Sequence, residues 1–135
     1  MMRIQHVPTE LVPQVMPLVA VHISRGLEHT DSCTLEHAQV HLSTGSWVLL
    51  VAVDDDNAIQ GAYVLSFYNE PTARIASIVS AAGTGLAGQD VFDQVKAIAK
   101  GMAATKIQVL ARESAARLYK RVGLSEKASL MVIKL

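Results

Sequence analysis

The sequence contains a single cysteine, Cys33. That excludes an internal disulfide and a Cys-x-x-Cys site. No paired base is signalled nearby, so Cys33 reads as a plain thiol. An excess of either charge is also missing: Lys plus Arg number 12, Asp plus Glu number 12, and the formal net charge is zero. Nucleic-acid binders carry a basic excess or stripe. The nearest approach, "RLYKR" from Arg117 to Arg121, suits a solvated helix face. Long apolar runs are absent too. The longest, "WVLLVAV" from Trp47 to Val53, is far too short to span a bilayer and suits a buried strand. The opening "MMRIQHVPTE" lacks the apolar stretch of a signal peptide, so a cytoplasmic protein is expected, with no nucleic-acid or membrane partner. There are no internal repeats, low-complexity segments or linkers.

What remains is a chain of 135 residues, half of them apolar, enough for one compact domain spanning 1–135. Arg3 to Val7 alternates like a strand. A helix follows, with Leu11, Val15, Leu18, Val19 and His22 at helical spacing. Pro13 suits its first turn, Pro17 should kink it or delay its start, and Gly26 should end it. A second helix is capped by Thr34 and closed by Gly45. His37 and His41 share one of its faces, without the neighbours that would complete a metal site, so no metal is expected. Two β-type runs then flank "DDDN", Asp54 to Asn57, which predicts a hairpin with a solvated turn. Thr72 to Ala81 predicts a further strand, Gln89 to Ala104 a helix striped by Phe92, Val95, Ile98 or Ala99, and Met102. Lys106 to Leu110 (strand), Arg112 to Val122 (helix) and Ala128 to Leu135 (strand) complete the order. The hairpin must be antiparallel, so the fold class is α/β with a mixed sheet.

Gly83, Gly85 and Gly88 in "GTGLAG" spell G-x-G-x-x-G between a strand and a helix. Such a loop can cradle any pyrophosphate, because glycine lets backbone N–H groups curl inward and the helix N-terminus adds partial positive charge. A dinucleotide fold needs this motif in its first βα turn and an acid about twenty residues on. Here the motif lies past mid-chain, after a hairpin, and Glu113 sits at a helix start.

The stretch "RESAARLYKRVGL" resembles the last helix of the GCN5-related N-acetyltransferases, with Ala115, Leu118, Tyr119, Gly123 and Leu124 in register. "SAAGTG", Ser80 to Gly85, stands where that family has a CoA-binding loop, and the element order agrees along nearly the whole chain. Ser80 replaces the family's Gln or Arg, and Arg112 replaces its Asn. The resemblance implies a central mixed sheet of about six to seven strands flanked by about four helices. It implies acetyl-CoA as co-substrate and direct acetyl transfer to an amine, on a small molecule or a protein. It implies a cofactor site made by Ile78, Val79, Ser80, Gly83, Thr84, Gly85, Gly88 and Arg112. Tyr119 takes the family's general-acid position, Glu70 is the best-placed carboxylate for a base, and His22 is another candidate. The alternative is a catalytically inactive module of the same fold with a binding or assembly role. A minimal domain also leaves apolar surface to cover, which suggests a homodimer.

Overall fold

The computed structural model describes residues Met1–Leu135. Five strands form one sheet in the order β1-β2-β3-β4-β5. They are β1 (Arg3–Val7), β2 (Trp47–Val53), β3 (Ile59–Glu70), β4 (Ala73–Gly83) and β5 (Lys106–Val109). The first four pair antiparallel and β5 joins β4 in parallel. Helices α1 (Val12–Gly26) and α2 (Leu35–Ser43) connect β1 to β2, α3 (Gln89–Gly101) connects β4 to β5, and α4 (Glu113–Arg121) follows β5.

The sheet is buried on both faces, so its central strands are apolar on both sides rather than alternating. Leu49, Val51, Ala62 and Val64 pack under Val12, Met16, Val19 and Ile23 of α1 and Ala38 and Leu42 of α2. Leu50, Ala52, Tyr63, Leu65 and Ile78 pack under Val91, Phe92 and Val95 of α3, with Tyr119 of α4 beside them. Gln94 of α3 ties down the sheet edge: its side chain accepts from the Ile4 N–H at 2.8 Å and donates to the Met2 carbonyl at 3.0 Å.

The "DDDN" turn forms as expected. Asn57 takes a positive φ of 63°, and one Asp54 carboxylate oxygen accepts from the Asp56 and Ala58 N–H groups at 2.9 Å each. Those bonds, with one from Gln60, hold the Asp54 carboxyl below its usual range. In α2 the Thr34 cap forms, and the His37 ring completes it by accepting from the Thr34 N–H at 3.2 Å. His41 stacks on Trp47 at 4.3 Å. Burial pushes the Cys33 thiol up, which keeps it protonated.

Three expectations are corrected. The sheet has five strands, not six to seven: Ala128 to Leu135 forms no strand, and Leu130, Met131, Val132 and Ile133 are exposed. Strand propensity acts only where a ladder and a face are available, and this segment has neither. The buried stripe of α1 is Val12, Met16, Val19 and Ile23, whereas Leu11 and Leu18 of the expected stripe are exposed. The helix is apolar almost all round, so periodicity does not single out one face. Pro17 lies inside a continuous α1, which starts at Val12, so it does not delay the helix.

Candidate functional site

The site begins with an irregularity in β4. Leu65 pairs with Ile78 and Val64 with Ser80, so Val79 is an extra residue, a β-bulge. Side chains change parity there. Ala76 and Ile78 face α3, but Val79 packs with the α1 layer and Ser80 bonds to it. Pairing with β5 stops at the same level, at Ile78 opposite Val109. Beyond it β4 runs on to Gly83 while the chain after β5 turns away through Leu110 and Ala111 into α4. The two strands therefore splay.

A cleft of about 110 Å³ fills the splay. Ile78, Val79, Ser80 and Ala81 form one wall, Val109 to Arg112 with Ala115 and Tyr119 the other, and Arg25, Gly26 and His29 close the α1 side. The volume suits a reacting centre of a few atoms rather than a whole cofactor. The α1 side is held close. Ser80, 2% exposed, donates its hydroxyl to the Ile23 carbonyl at 3.1 Å. A Cβ on Gly26 would overlap that hydroxyl and lie 2.8 Å from the Ala81 nitrogen, so only glycine permits this approach.

Tyr119 packs edge-on against Phe92 at 6.5 Å. Burial pushes its phenol up to about 12. Tyr63, deeper in the same layer, is raised further, first by burial and then by the nearby Tyr119 charge. Both phenols are therefore neutral at physiological pH and able to donate a hydrogen bond. His29 lines the same cleft. Its Nδ1 is 2.7 Å from the Gly26 carbonyl oxygen. A carbonyl can only accept, so Nδ1 carries the proton, and in the neutral ring Nε2 keeps a lone pair.

The expected site residues divide into three groups. Ile78, Val79, Ser80, Arg112 and Tyr119 meet in the cleft. Gly83, Thr84, Gly85 and Gly88 continue from the end of β4 into α3, outside the cleft lining. Gly83, at φ 141°, needs glycine because a Cβ would overlap Gly61 on β3, and Gly88 is the N-cap of α3 without a side-chain cap bond. The Thr84 N–H is already spent on the Gln60 carbonyl at 2.9 Å. Glu70 stands apart from both groups: it pairs with Ala73 at the β3–β4 tip, roughly 20 Å along the strand from Ser80. His22 does not line the cleft. His29 was missed by sequence reasoning. Its signal is "GLEH": a histidine just past a helix-ending glycine can reach back to the last carbonyls.

A larger groove of about 360 Å³ runs between α1 and α2, lined by Val12, Pro13, Met16, Pro17, Ala20, Gln39 and Ser43. It holds no titratable side chain, whereas the smaller cleft holds four.

No family profile and no curated protein sequence matches the chain. Solved structures do. A ribosomal-protein-alanine N-acetyltransferase from Brucella melitensis biovar Abortus 2308 superposes at TM-score 0.71 and 17% identity, covering 100% of this chain and 99% of that one. A predicted acetyltransferase with acetyl-CoA from Clostridium acetobutylicum gives 0.69 at 15% identity, covering 99% and 96%. An aminoglycoside acetyltransferase from an uncultured soil metagenomic sample gives 0.71 at 15%, covering 99% and 96%. At these identities the likeness is one of fold, and the chain has the GCN5-related N-acetyltransferase fold.

Proposed function

We propose that the protein is an acetyl-CoA-dependent N-acetyltransferase that acts on an amine by direct transfer. The observation that carries this reading is the convergence of Tyr119 with the unpaired end of β4 in one cleft. The residues fit the co-substrate. Beyond Ile78, β4 has no strand partner on the β5 side, so its backbone is free to pair with an amide-bearing chain. The first N–H groups of α3 have no acceptor within the helix and no side-chain cap, a setting that suits phosphate. Bound acetyl-CoA would supply an activated acetyl thioester.

In this reading backbone N–H groups around Ile78 and Val79, where the β4–β5 ladder ends, would steady the oxyanion. Tyr119 lines the cleft where the thioester would sit. A phenol near 12 lies about 3.5 units above an ordinary thiol near 8.5. Full proton transfer would therefore be uphill, and Tyr119 would serve as a hydrogen-bond donor to a sulfur placed there. Arg25 and Arg112 flank the cleft and no carboxylate lines it. Polycationic acceptors are disfavoured on that account.

Thermal unfolding with and without acetyl-CoA tests the reading. At a hundredfold excess over Kd, binding adds about 2.7 kcal/mol and raises the melting temperature. Tyr119→Phe should keep that shift and lose turnover. A second reading, a non-catalytic module, draws on the phosphate end. There Ser80 is turned inward, and an Asp90 carboxylate oxygen would lie 2.8 Å from a Cβ built on Gly88. No shift at millimolar acetyl-CoA would favour it.

A further inference from the structure

The cleft contains four titratable side chains: Arg25, His29, Arg112 and Tyr119. An amine attacks a thioester only after losing its ammonium proton, and a side chain in the cleft that accepts it speeds that step over loss to solvent. The arginines stay protonated in proteins. Tyr119 is neutral and can only donate usefully. Neither Glu70 nor His22 reaches the cleft, and the exposed Glu28 and Asp31 beside His29 in sequence do not line it.

We propose that His29 is the general base that takes this proton, through Nε2. The proposal rests on the acetyl-transfer reading above. Its warrant is geometric. The 2.7 Å bond from Nδ1 to the Gly26 carbonyl fixes the tautomer with the Nε2 lone pair free. That carbonyl is itself held by the close approach of Gly26 to Ser80 and Ala81, so the ring hangs from a fixed point in the cleft that Tyr119 also lines. The balance is simple. The ammonium proton passes to Nε2, the freed nitrogen lone pair forms the N–C bond to the acetyl carbon, the C–S bond breaks with its pair on sulfur, and the nitrogen, positive after attack, loses a second proton to solvent as the amide forms while the sulfur takes one from solvent. His29 then returns its proton to solvent.

Two measurements test it. Long-range nitrogen–proton NMR correlations on the unliganded protein should show neutral His29 protonated on Nδ1. Protonation on Nε2 would overturn the proposal. For kinetics, acetyl-CoA thiol release is followed with glycine, ethylamine and spermidine as acceptors, using the best of them. His29→Gln should lower kcat/KM at neutral pH by about 100- to 10,000-fold. The deficit should shrink as pH rises and the free amine forms without help. Added imidazole should restore part of the activity of His29→Ala. The acetyl-CoA melting shift should persist in both variants. A His29→Gln profile parallel to wild type, or loss of the shift in the variants alone, makes His29 a structural residue and overturns the proposal. Wild-type protein that shows no shift overturns the acetyl-transfer reading itself. A wild-type shift with no acetylation of any of these amines overturns the base assignment.

Discussion

Ser80 stands where the resemblance to the N-acetyltransferases implies a glutamine or arginine, and its surroundings explain why substituting one of those is not equivalent. Its side chain points into the α1 layer and is 2% exposed. Ser80→Arg would bury a guanidinium with no acid nearby, so we expect a loss of several kcal/mol in stability rather than a gain in cofactor affinity. Ser80→Ala is milder. The Ile23 carbonyl keeps the Leu27 N–H at 3.1 Å, and urea denaturation should register about 1 kcal/mol. Gly26→Ala must push α1 away from β4, at about 1–3 kcal/mol, and should loosen the cleft as well. Tyr119 and Tyr63 give a pH signature. Each phenol has its folded pKa raised above the ordinary 10, to about 12 for Tyr119. Their contribution is complete below about pH 10 and is lost as pH rises toward 12. Denaturation from pH 8 to 12 should show falling stability, with a shallower fall in Tyr119→Phe. Of the site, the sequence made Tyr119, Ile78, Val79, Ser80 and Arg112 readable through motif and order. It concealed His29, because a hydrogen bond from a ring to a helix-end carbonyl has no period to detect.

At the scale of elements, all four helices and the first five strands were legible, since each has a cap, a turn or an apolar run of its own. Three features were not. The α1 face was ambiguous because Leu18 and Val21, each 61% exposed, are as apolar as the residues that are buried. Unfolding free energies should separate the faces: Ile23→Ala should cost about 2–5 kcal/mol, Leu18→Ala under about 0.5. The bulge at Val79 was invisible because alternation cannot show where parity changes. The segment from Ala128 to Leu135 looked like a strand because its composition fits one, yet pairing is a property of the neighbour as much as of the segment. Removing these residues should leave the unfolding free energy within about 0.5 kcal/mol of the full chain.

For the whole molecule, one sheet serves two apolar layers that differ in use. The layer under α1 and α2 holds Gly26 and Ser80 in contact, while the layer under α3 and α4 positions Tyr119. The cleft opens between them, so damage to either layer should change its width. Hydrogen exchange should then report faster exchange at Val79 to Ala81 in Ile23→Ala and in Val95→Ala alike. The exposed run from Leu130 to Ile133 has a colloidal consequence. The chain carries no net charge at pH 7, its pI is about 7.0, and so little repulsion opposes contact between those apolar residues on different molecules. Solubility should pass through a minimum near neutrality and rise on either side, and light scattering against pH should trace that curve with a shallower trough once the run is removed.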